Sequence, residues 1–456
     1  MVDLHIWEFP LSLSLAAAFI ALVLLLGLKM RGKLIVRIIA GRKFSVVMLA
    51  LLAFFIAVEG TLGLRLFHSW PFLVIVLLTM LSLGITTLDA LKARRCRKIR
   101  GADAADAGRT SHLAPATLSA GGSPVSILSH GGLFLILFAG FFGAPDFREG
   151  EMIVSQGSSE HMAYSERGEY MPLPFSLTLK DFVIDTHYDG ISAKQYTSTM
   201  EVSPVPADSL STAGSGQGGA VRTLRSSVNH PAHYRGYGLY QADFDRYALS
   251  YSVIKIVRDP WLPLVYIGMA ILALAAFLEV RRTWRGRMFL PVVIVLALLF
   301  TVVTVAKINF GTLVPALRSI WFVPHLLIYM IAYAVLAMAL IFAVVSFFKP
   351  QTAILSRKFL STASSLLIIG MLCGAVWAKA AWGDYWTWDA KECWAAVTWL
   401  LTLIGTHIPA AAAPRFRRRF VAVFVAILLS FLAMQITWYG VNYLPSAQNS
   451  LHTYNN

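Results

Sequence analysis

Eleven histidines and twelve tryptophans stand in a chain of 456 residues that has only three cysteines. Six of the tryptophans fall between Trp377 and Trp399, around the run Trp382-Gly-Asp-Tyr-Trp-Thr-Trp-Asp-Ala-Lys-Glu-Cys-Trp394. Large flat rings beside Asp384, Asp389 and Glu392 form a surface able to stack on a planar apolar ligand. The alternative is an aromatic belt at headgroup level, although belts usually place one or two rings per helix end. Both readings fit the run taken by itself. Its polar residues break the apolar pattern, so a loop and a short interfacial helix are expected there. Zinc fits poorly, because the chain has no HExxH motif and no close Cys/His spacing. Cys96, Cys373 and Cys393 make neither a CxxC pair nor an even-numbered framework.

Apolar helices must position these residues. With 57% hydrophobic and 14% charged residues, the composition excludes an ordinary soluble domain. Ten segments approach the length of about 20 residues that a bilayer core requires: 11–28, 45–64, 71–91, 130–145, 261–280, 288–307, 324–348, 362–380, 392–409 and 419–442. The fourth is short and can extend back into 124–129. Met1 to Pro10 lacks Lys and Arg and precedes an apolar run too long for a signal h-region, so the first segment is read as a retained span. The expected fold is a polytopic α-helical membrane protein with about ten transmembrane helices and a small external, mostly-β domain.

Charge supplies orientation. Of 39 Lys and Arg residues, 24 lie in the loops 29–43, 92–109, 281–287, 349–358 and 415–419. All five loops share one side of a ten-span arrangement, which makes that side cytoplasmic and puts both termini outside. The formal charge of +15 therefore marks topology, and nucleic acid is not an expected partner. Residues 146–256 form the one long external stretch. Phe175-Ser-Leu-Thr-Leu, Phe182-Val-Ile-Asp and Tyr247 to Ile256 read as strands, 203–220 as a flexible loop, and the cytoplasmic stretch 101–128 as a disordered linker.

Topology then sorts the histidines by depth. His325 opens the seventh span externally, and His452, near the C-terminal end, lies on the same side as the tryptophan run. His130, at the start of the fourth span, and His407, near the end of the ninth, fall toward the cytoplasmic leaflet. Ionisable groups at membrane depth are costly and point to function, and His130 and His407 are each other's natural partner. Two pairs of imidazoles suit haem iron, whose plane also needs apolar and aromatic walls. For any single histidine, an interfacial role with hydrogen bonds to backbone or water is the simpler reading. A cytochrome b core carries its ligands in pairs on shared helices, and each of these spans offers one. His5, His68, His112, His161, His187, His230 and His233 receive no ligand role.

At these residues the chain resembles the ResB–CcsA fusion family of System II cytochrome c biogenesis. Trp382 to Glu392 matches the family's WWD signature, WGxxWxWDxxE. Pro315-Ala-Leu-Arg-Ser-Ile-Trp-Phe-Val-Pro-His325 resembles the CcsA segment holding the first external haem histidine, and Gly440-Val-Asn-Tyr with Leu451-His452-Thr-Tyr resembles the segment holding the second. His68-Ser-Trp-Pro-Phe, Ser129-His130-Gly-Gly-Leu, Arg148-Glu-Gly-Glu, Val228-Asn-His-Pro, Gly238-Leu-Tyr-Gln and Arg258-Asp-Pro resemble ResB. Ala390 departs from a position where many relatives carry Pro, and the ResB-like external domain is small. The resemblance divides the chain into 1–145, a membrane part that is ResB-like from about 45 and includes the linker 92–129; 146–256, the external β domain; 257–287, a closing ResB-like span and loop; and 288–456, a CcsA-like part with the WWD segment 377–399.

The resemblance implies a holocytochrome c synthase of the bacterial cytoplasmic membrane. It would export haem b and join it by thioether bonds to the CxxCH cysteines of apocytochrome c, a separate protein, because this chain has no CxxCH. By carry-over, His130 and His407 ligate haem in the membrane, and His325 and His452 ligate it outside. Trp382, Trp386 and Trp388 pack around the macrocycle, and Asp384, Asp389 and Glu392 order the loop or position the acceptor. Thiol addition requires reduced cysteines, so thiol-reducing proteins are expected partners beside haem, apocytochrome c and the bilayer. Lys379, Lys391 and Arg318 are external cations available to haem propionates. The rival readings are a haem transporter without ligation activity and a transmembrane electron carrier with two permanent haems.

Overall fold

Apolar length dictates the first layer of the architecture. The computed structural model describes residues 8–64, 66–106, 123–165, 168–205, 221–284, 313–409 and 416–447, with scattered residues between 290 and 302. Its helices are α1 (Leu11–Leu24, continued by a π turn, Leu25–Lys29), α2 (Leu34–Ile39), α3 (Arg42–Leu62), α4 (Trp70–Asp106), α5 (Pro124–Gly143), α6 (Leu262–Thr283), α7 (Phe322–Val345), α8 (Ala353–Trp382), α9 (Ala390–His407) and α10 (Phe416–Trp438). Among the described residues, eight helices are long and apolar enough to span a bilayer. Helix α9 joins them despite its polar residues, because it sits in the bundle centre against α3, α8 and α10. Its Thr398, Thr402 and Thr406 hydroxyls donate back to carbonyls of their own helix, which satisfies them without water. Most of the expected span 288–307 lies outside the described residues.

The fourth span takes up the expected backward extension and begins at Pro124, because Ser123 accepts the Ser126 N–H and Pro occupies the first turn, both strong start signals. The third span, α4, continues beyond 91 to Asp106, so 101–106 and 124–128 are helical where a disordered linker is expected, and 107–122 lie outside the described residues. In the bundle core α7 packs along α8, with Ala332, Ala339 and Ala343 of the one and Ala363, Ser364 and Gly370 of the other all buried, and small residues permit close backbone approach.

Between α5 and α6 lies one antiparallel sheet of eight strands in the order β5-β4-β3-β2-β1-β8-β7-β6. The strands are β1 (Arg148–Ser155), β2 (Glu160–Tyr164), β3 (Tyr170–Thr186), β4 (Ala193–Pro204), β5 (Arg222–Ser227), β6 (Ala232–Tyr234), β7 (Tyr237–Phe244) and β8 (Tyr251–Arg258). The sheet curls until its ends meet: Ser226 Oγ donates to Leu239 O at 2.7 Å, and Ser227 bridges His230. Closure protects the edges and encloses a core of Leu173, Phe175, Leu177, Met200, Ile254 and Ile256.

The two runs expected as separate strands at 175 and 182 are one 17-residue strand. Its inward residues are Leu173, Phe175, Leu177 and Leu179, then Phe182, and the change of phase is absorbed by a bulge between Leu179 and Asp181. The expected strand from Tyr247 begins instead at Tyr251. Asp245 takes the N–H groups of Tyr247 and Ser250 and the Ser250 hydroxyl, which folds 245–250 into a turn. Residues 206–220, most of the expected flexible loop, lie outside the described set.

Helices and sheet lock together where α1, α5 and α6 meet. Asp146 accepts from Phe9 N, Ser12 Oγ and Trp261 Nε1 at 2.7 to 2.8 Å. At the opposite ends of the helices, Arg31 pairs with Asp89 at 2.6 Å and Arg357 donates to Ile408 O.

Candidate functional site

The imidazole rings of His130 on α5 and His407 on α9 lie with centroids 6.2 Å apart and planes 77° apart. Helix α5 runs along α4 and α6, whereas α9 runs along α3 and α10, so this meeting is a product of the bundle as a whole. His130 Nδ1 is 2.7 Å from Ser126 O, and His407 Nδ1 is 2.8 Å from Leu403 O. A carbonyl only accepts, so each Nδ1 carries the proton and each Nε2 the lone pair. Metal-binding histidines use the same tethering, which fixes ring and tautomer.

His325 lies at the other end of the bundle, on the sheet side. Its Nδ1 donates to Gly370 O at 2.9 Å, and its ring lies against Tyr329 (4.9 Å) and Trp377 (5.8 Å). Glycines make room: a Cβ on Gly374 would stand 2.7 Å from the His325 ring, and one on Gly370 would stand 2.8 Å from Tyr329. His325, Tyr329 and Tyr333 form an i, i+4, i+8 stripe along one wall of a cavity of about 240 Å³. Trp386, Lys391 and Trp438 contribute to the other walls. That stripe was visible in the sequence as three polar-tipped rings at helical spacing in an apolar helix.

The tryptophan run forms a loop, 383–389, that enters α9 directly; among the described residues there is no separate interfacial helix. Asp389 caps α9 by accepting from Glu392 N at 2.9 Å, and Glu392 Oε2 reaches back to the N–H groups of Thr387 and Trp388, each at 2.8 Å. This reciprocal capping starts the helix abruptly and leaves no residues for another one. Gly383 (φ 91°) ends α8 in the left-handed region, and a Cβ there would meet Val257 and Tyr240 of the sheet. Trp382, at the end of α8, packs on Trp377 (5.6 Å), whereas the two loop tryptophans meet edge to face at 5.7 Å. Trp386 faces the cavity, and Trp388 packs on Phe67 (4.1 Å) with 39% of its surface exposed. Trp388 holds φ at 61°, a strained value for a large side chain, and Cys393 Sγ donates to its carbonyl.

Two further segments pack on elements whose residues line the cavity. After α10 the chain forms short turns at Gly440–Tyr443 and Pro445–Ala447. Ser446 Oγ donates to Gly60 O at 2.6 Å, and Val441 and Ala447 pack on Ala390 and Trp394 at the start of α9. His452 lies five residues beyond Ala447, outside the described residues. Before His325, the segment 313–317 is gripped by the sheet domain: Asn229 Nδ2 donates to Pro315 O at 2.8 Å, and His187 Nε2 donates to Leu313 O at 3.1 Å. Trp377 Nε1 donates to Ala316 O at 2.9 Å.

Charges concentrate between sheet and loop, a feature sequence reading missed because its members are far apart in the chain. Lys255 Nζ lies 2.6 Å from Asp384 and 2.9 Å from Glu149. Burial opposes its charge, but the two carboxylates outweigh burial and hold its pKa above the ordinary lysine value. Nearby, burial raises the Asp259 carboxyl despite Lys379, and burial with the Asp259 and Asp384 charges pushes the Tyr385 phenol up to about 12. Lys379 Nζ donates to Gly383 O at 2.6 Å, which commits this expected propionate cation to the loop.

Comparison with known proteins finds two families along the chain. Residues 125–250 match the ResB-like family, and residues 261–447 match the family described as Cytochrome C assembly protein. Proteins named "Cytochrome c biogenesis protein CcsA" are similar to parts of it. The Hordeum vulgare protein is 39% identical over 99 residues, 22% of this chain and 29% of the relative. The Chlamydomonas reinhardtii protein is 33% identical over 157 residues, 31% of this chain and 42% of the relative. The chain thus spans less than half the length of these curated relatives. With a ResB-like segment followed by a cytochrome c assembly segment in one polypeptide, the chain is a ResB–CcsA fusion.

Proposed function

We propose that this protein carries haem b from the cytoplasmic side of a bacterial inner membrane to the sheet-domain side and joins it covalently to the CxxCH cysteines of an apocytochrome c. The observation that carries the proposal is the His130–His407 pair. Two imidazoles sharing one metal along a line, with metal–nitrogen bonds of about 2 Å and a ring radius of about 1.1 Å, have centroids about 6 Å apart. The measured 6.2 Å agrees, and both rings keep the lone pair on Nε2. The cationic loops at the far end of the helices support a cytoplasmic assignment for that end.

On the sheet side, His325 and His452 are the proposed external ligands, with Trp386 as the ring facing the macrocycle. The terminal turns that precede His452 in the chain are anchored beside Ala390, next to the cavity residue Lys391. At about 240 Å³ the cavity is below the roughly 300–1,000 Å³ of ordinary ligand pockets, so loading requires the loop or the terminal turns to yield. Trp382 and Trp388 act as supports that hold the loop, and Asp389 acts through its cap on α9. In the ligation step each acceptor thiol adds across one vinyl group: sulfur bonds to the carbon next to the macrocycle and the proton goes to the terminal carbon. No net oxidation occurs, provided the thiols arrive reduced.

Reconstitution tests the proposal. The purified full chain, loaded with haem under dithionite and mixed with a CxxCH peptide, is expected to give a peptide–haem thioether adduct by mass spectrometry. Bound haem without adduct would leave transport alone, and haem that persists through peptide addition while exchanging electrons with quinol would leave the electron carrier.

A further inference from the structure

Lys255 is an outward-facing residue on β8, between Ile254 and Ile256, which point into the sheet's core. Its side chain is 20% exposed and its partner Asp384 is 16% exposed, so the pair is largely shielded from water. Asp384 is two residues before Trp386. The Trp386 indole Nε1 is buried without a hydrogen-bond partner among the described residues. No polar contact therefore fixes that ring, which is held by its edge contact with Trp388 at 5.7 Å and by the backbone that carries both rings. Elsewhere the loop is held at its ends, by Lys379 at Gly383 and by Glu392 at Thr387 and Trp388. Asp384 is its side-chain anchor to the sheet. From the turn between β5 and β6 of the same domain, Asn229 holds the carbonyls of Pro315 and Ala316, upstream of His325.

We propose that the sheet domain is a two-point clamp on the external site, in which Lys255 is the positioning residue for the Trp386 loop and Asn229 the positioning residue for the His325 segment. The idea rests on reading this cavity as the external haem site. It gives Asp384 an intramolecular task in place of contact with an acceptor. Without Lys255, the Asp384 and Glu149 carboxylates would face each other across the joint, and like charges with little water between them separate. The loop would swing from the sheet and take Trp386 with it. A domain that merely covered the membrane part would need no cation at this point.

The test compares full-length Lys255→Met, Lys255→Arg, Asp384→Asn and Asn229→Ala proteins with Lys180→Met, which removes the exposed Lys180–Glu201 pair of the same sheet. The first readout is hydrogen–deuterium exchange of the haem-free protein. Peptides covering 383–389 are expected to exchange roughly tenfold faster or more in Lys255→Met and Asp384→Asn, and at the parent rate in Lys255→Arg and Lys180→Met. Asn229→Ala should speed exchange in 313–317 while leaving 383–389 unchanged. The second readout is the haem absorption spectrum in a His130→Ala, His407→Ala background, where Lys255→Met should shift external haem from six- toward five-coordinate and Lys255→Arg should restore it. Unchanged loop exchange in Lys255→Met and Asp384→Asn overturns the clamp. Accelerated exchange with no haem in that background retains the clamp and overturns the reading of the cavity.

Discussion

His130 and His407 are 277 positions apart in the chain, yet their rings meet at 6.2 Å, and each is tied through Nδ1 to the carbonyl four residues before it. Identical tethering on two helices that run along different neighbours means that both Nε2 lone pairs are set by local helix geometry. Bundle packing sets only their separation.

Six-coordinate haem at this depth needs both rings. In a His325→Ala, His452→Ala background, either His130→Ala or His407→Ala should abolish the low-spin spectrum of bound haem. Added imidazole should restore it, because a free ligand can occupy the space left by the ring. A low-spin spectrum that survives either substitution without imidazole would remove this pair from the mechanism.

Gly374→Ala should disturb the external site alone. The new Cβ would stand 2.7 Å from His325, so the ring must move and its bond to Gly370 must stretch. Overpacking costs about 1–3 kcal/mol, and the better helix propensity of Ala returns up to about 1 kcal/mol. The expected result is a small change in melting temperature with a clear change in external haem coordination. An unaltered external spectrum would show that His325 is not held as described.

Asp389→Ala should weaken the start of α9 by about 1 kcal/mol, the usual value of an N-cap. Asp389→Asn or Asp389→Ser should recover most of it, since either side chain can accept from Glu392 N. Synthase activity should follow the same order. If Asp389→Asn is fully stable and fully inactive, the carboxylate acts on the chemistry directly.

Acid should spare the 245–250 turn longer than an ordinary carboxylate would permit. The Ser250 hydroxyl and the backbone N–H groups of this turn hold the Asp245 pKa down to about 2. The folded value lies below the unfolded one of about 3.9, so the contribution is complete above that pH and is lost as pH falls toward 2. NMR titration of the carboxyl in the full chain checks this: a midpoint near 4 would contradict the hydrogen-bonded turn.

Several features follow from contiguous residues alone. Apolar runs of bilayer length specify the spans, and strict alternation in 175–179 specifies a half-buried strand, because both patterns are local and repeat with the period of the element. The run from Trp382 to Glu392 was legible for the same reason, as was Asp389 with Glu392 three residues on. Relations between distant elements were not. Two runs of β3 looked like separate strands because a bulge at 180 shifts the alternation, and only pairing with β4 joins them. Trp382, Trp386 and Trp388 read as one surface in the sequence, whereas Trp382 packs on Trp377 and only Trp386 and Trp388 meet, the one lining the cavity and the other packed on Phe67. Lys255 and Asp384 carry no sequence signal that links them. Their contact exists because the curled sheet presents the outward side of β8 to the end of α8, and such a register between a sheet and a bundle is decided by long-range packing.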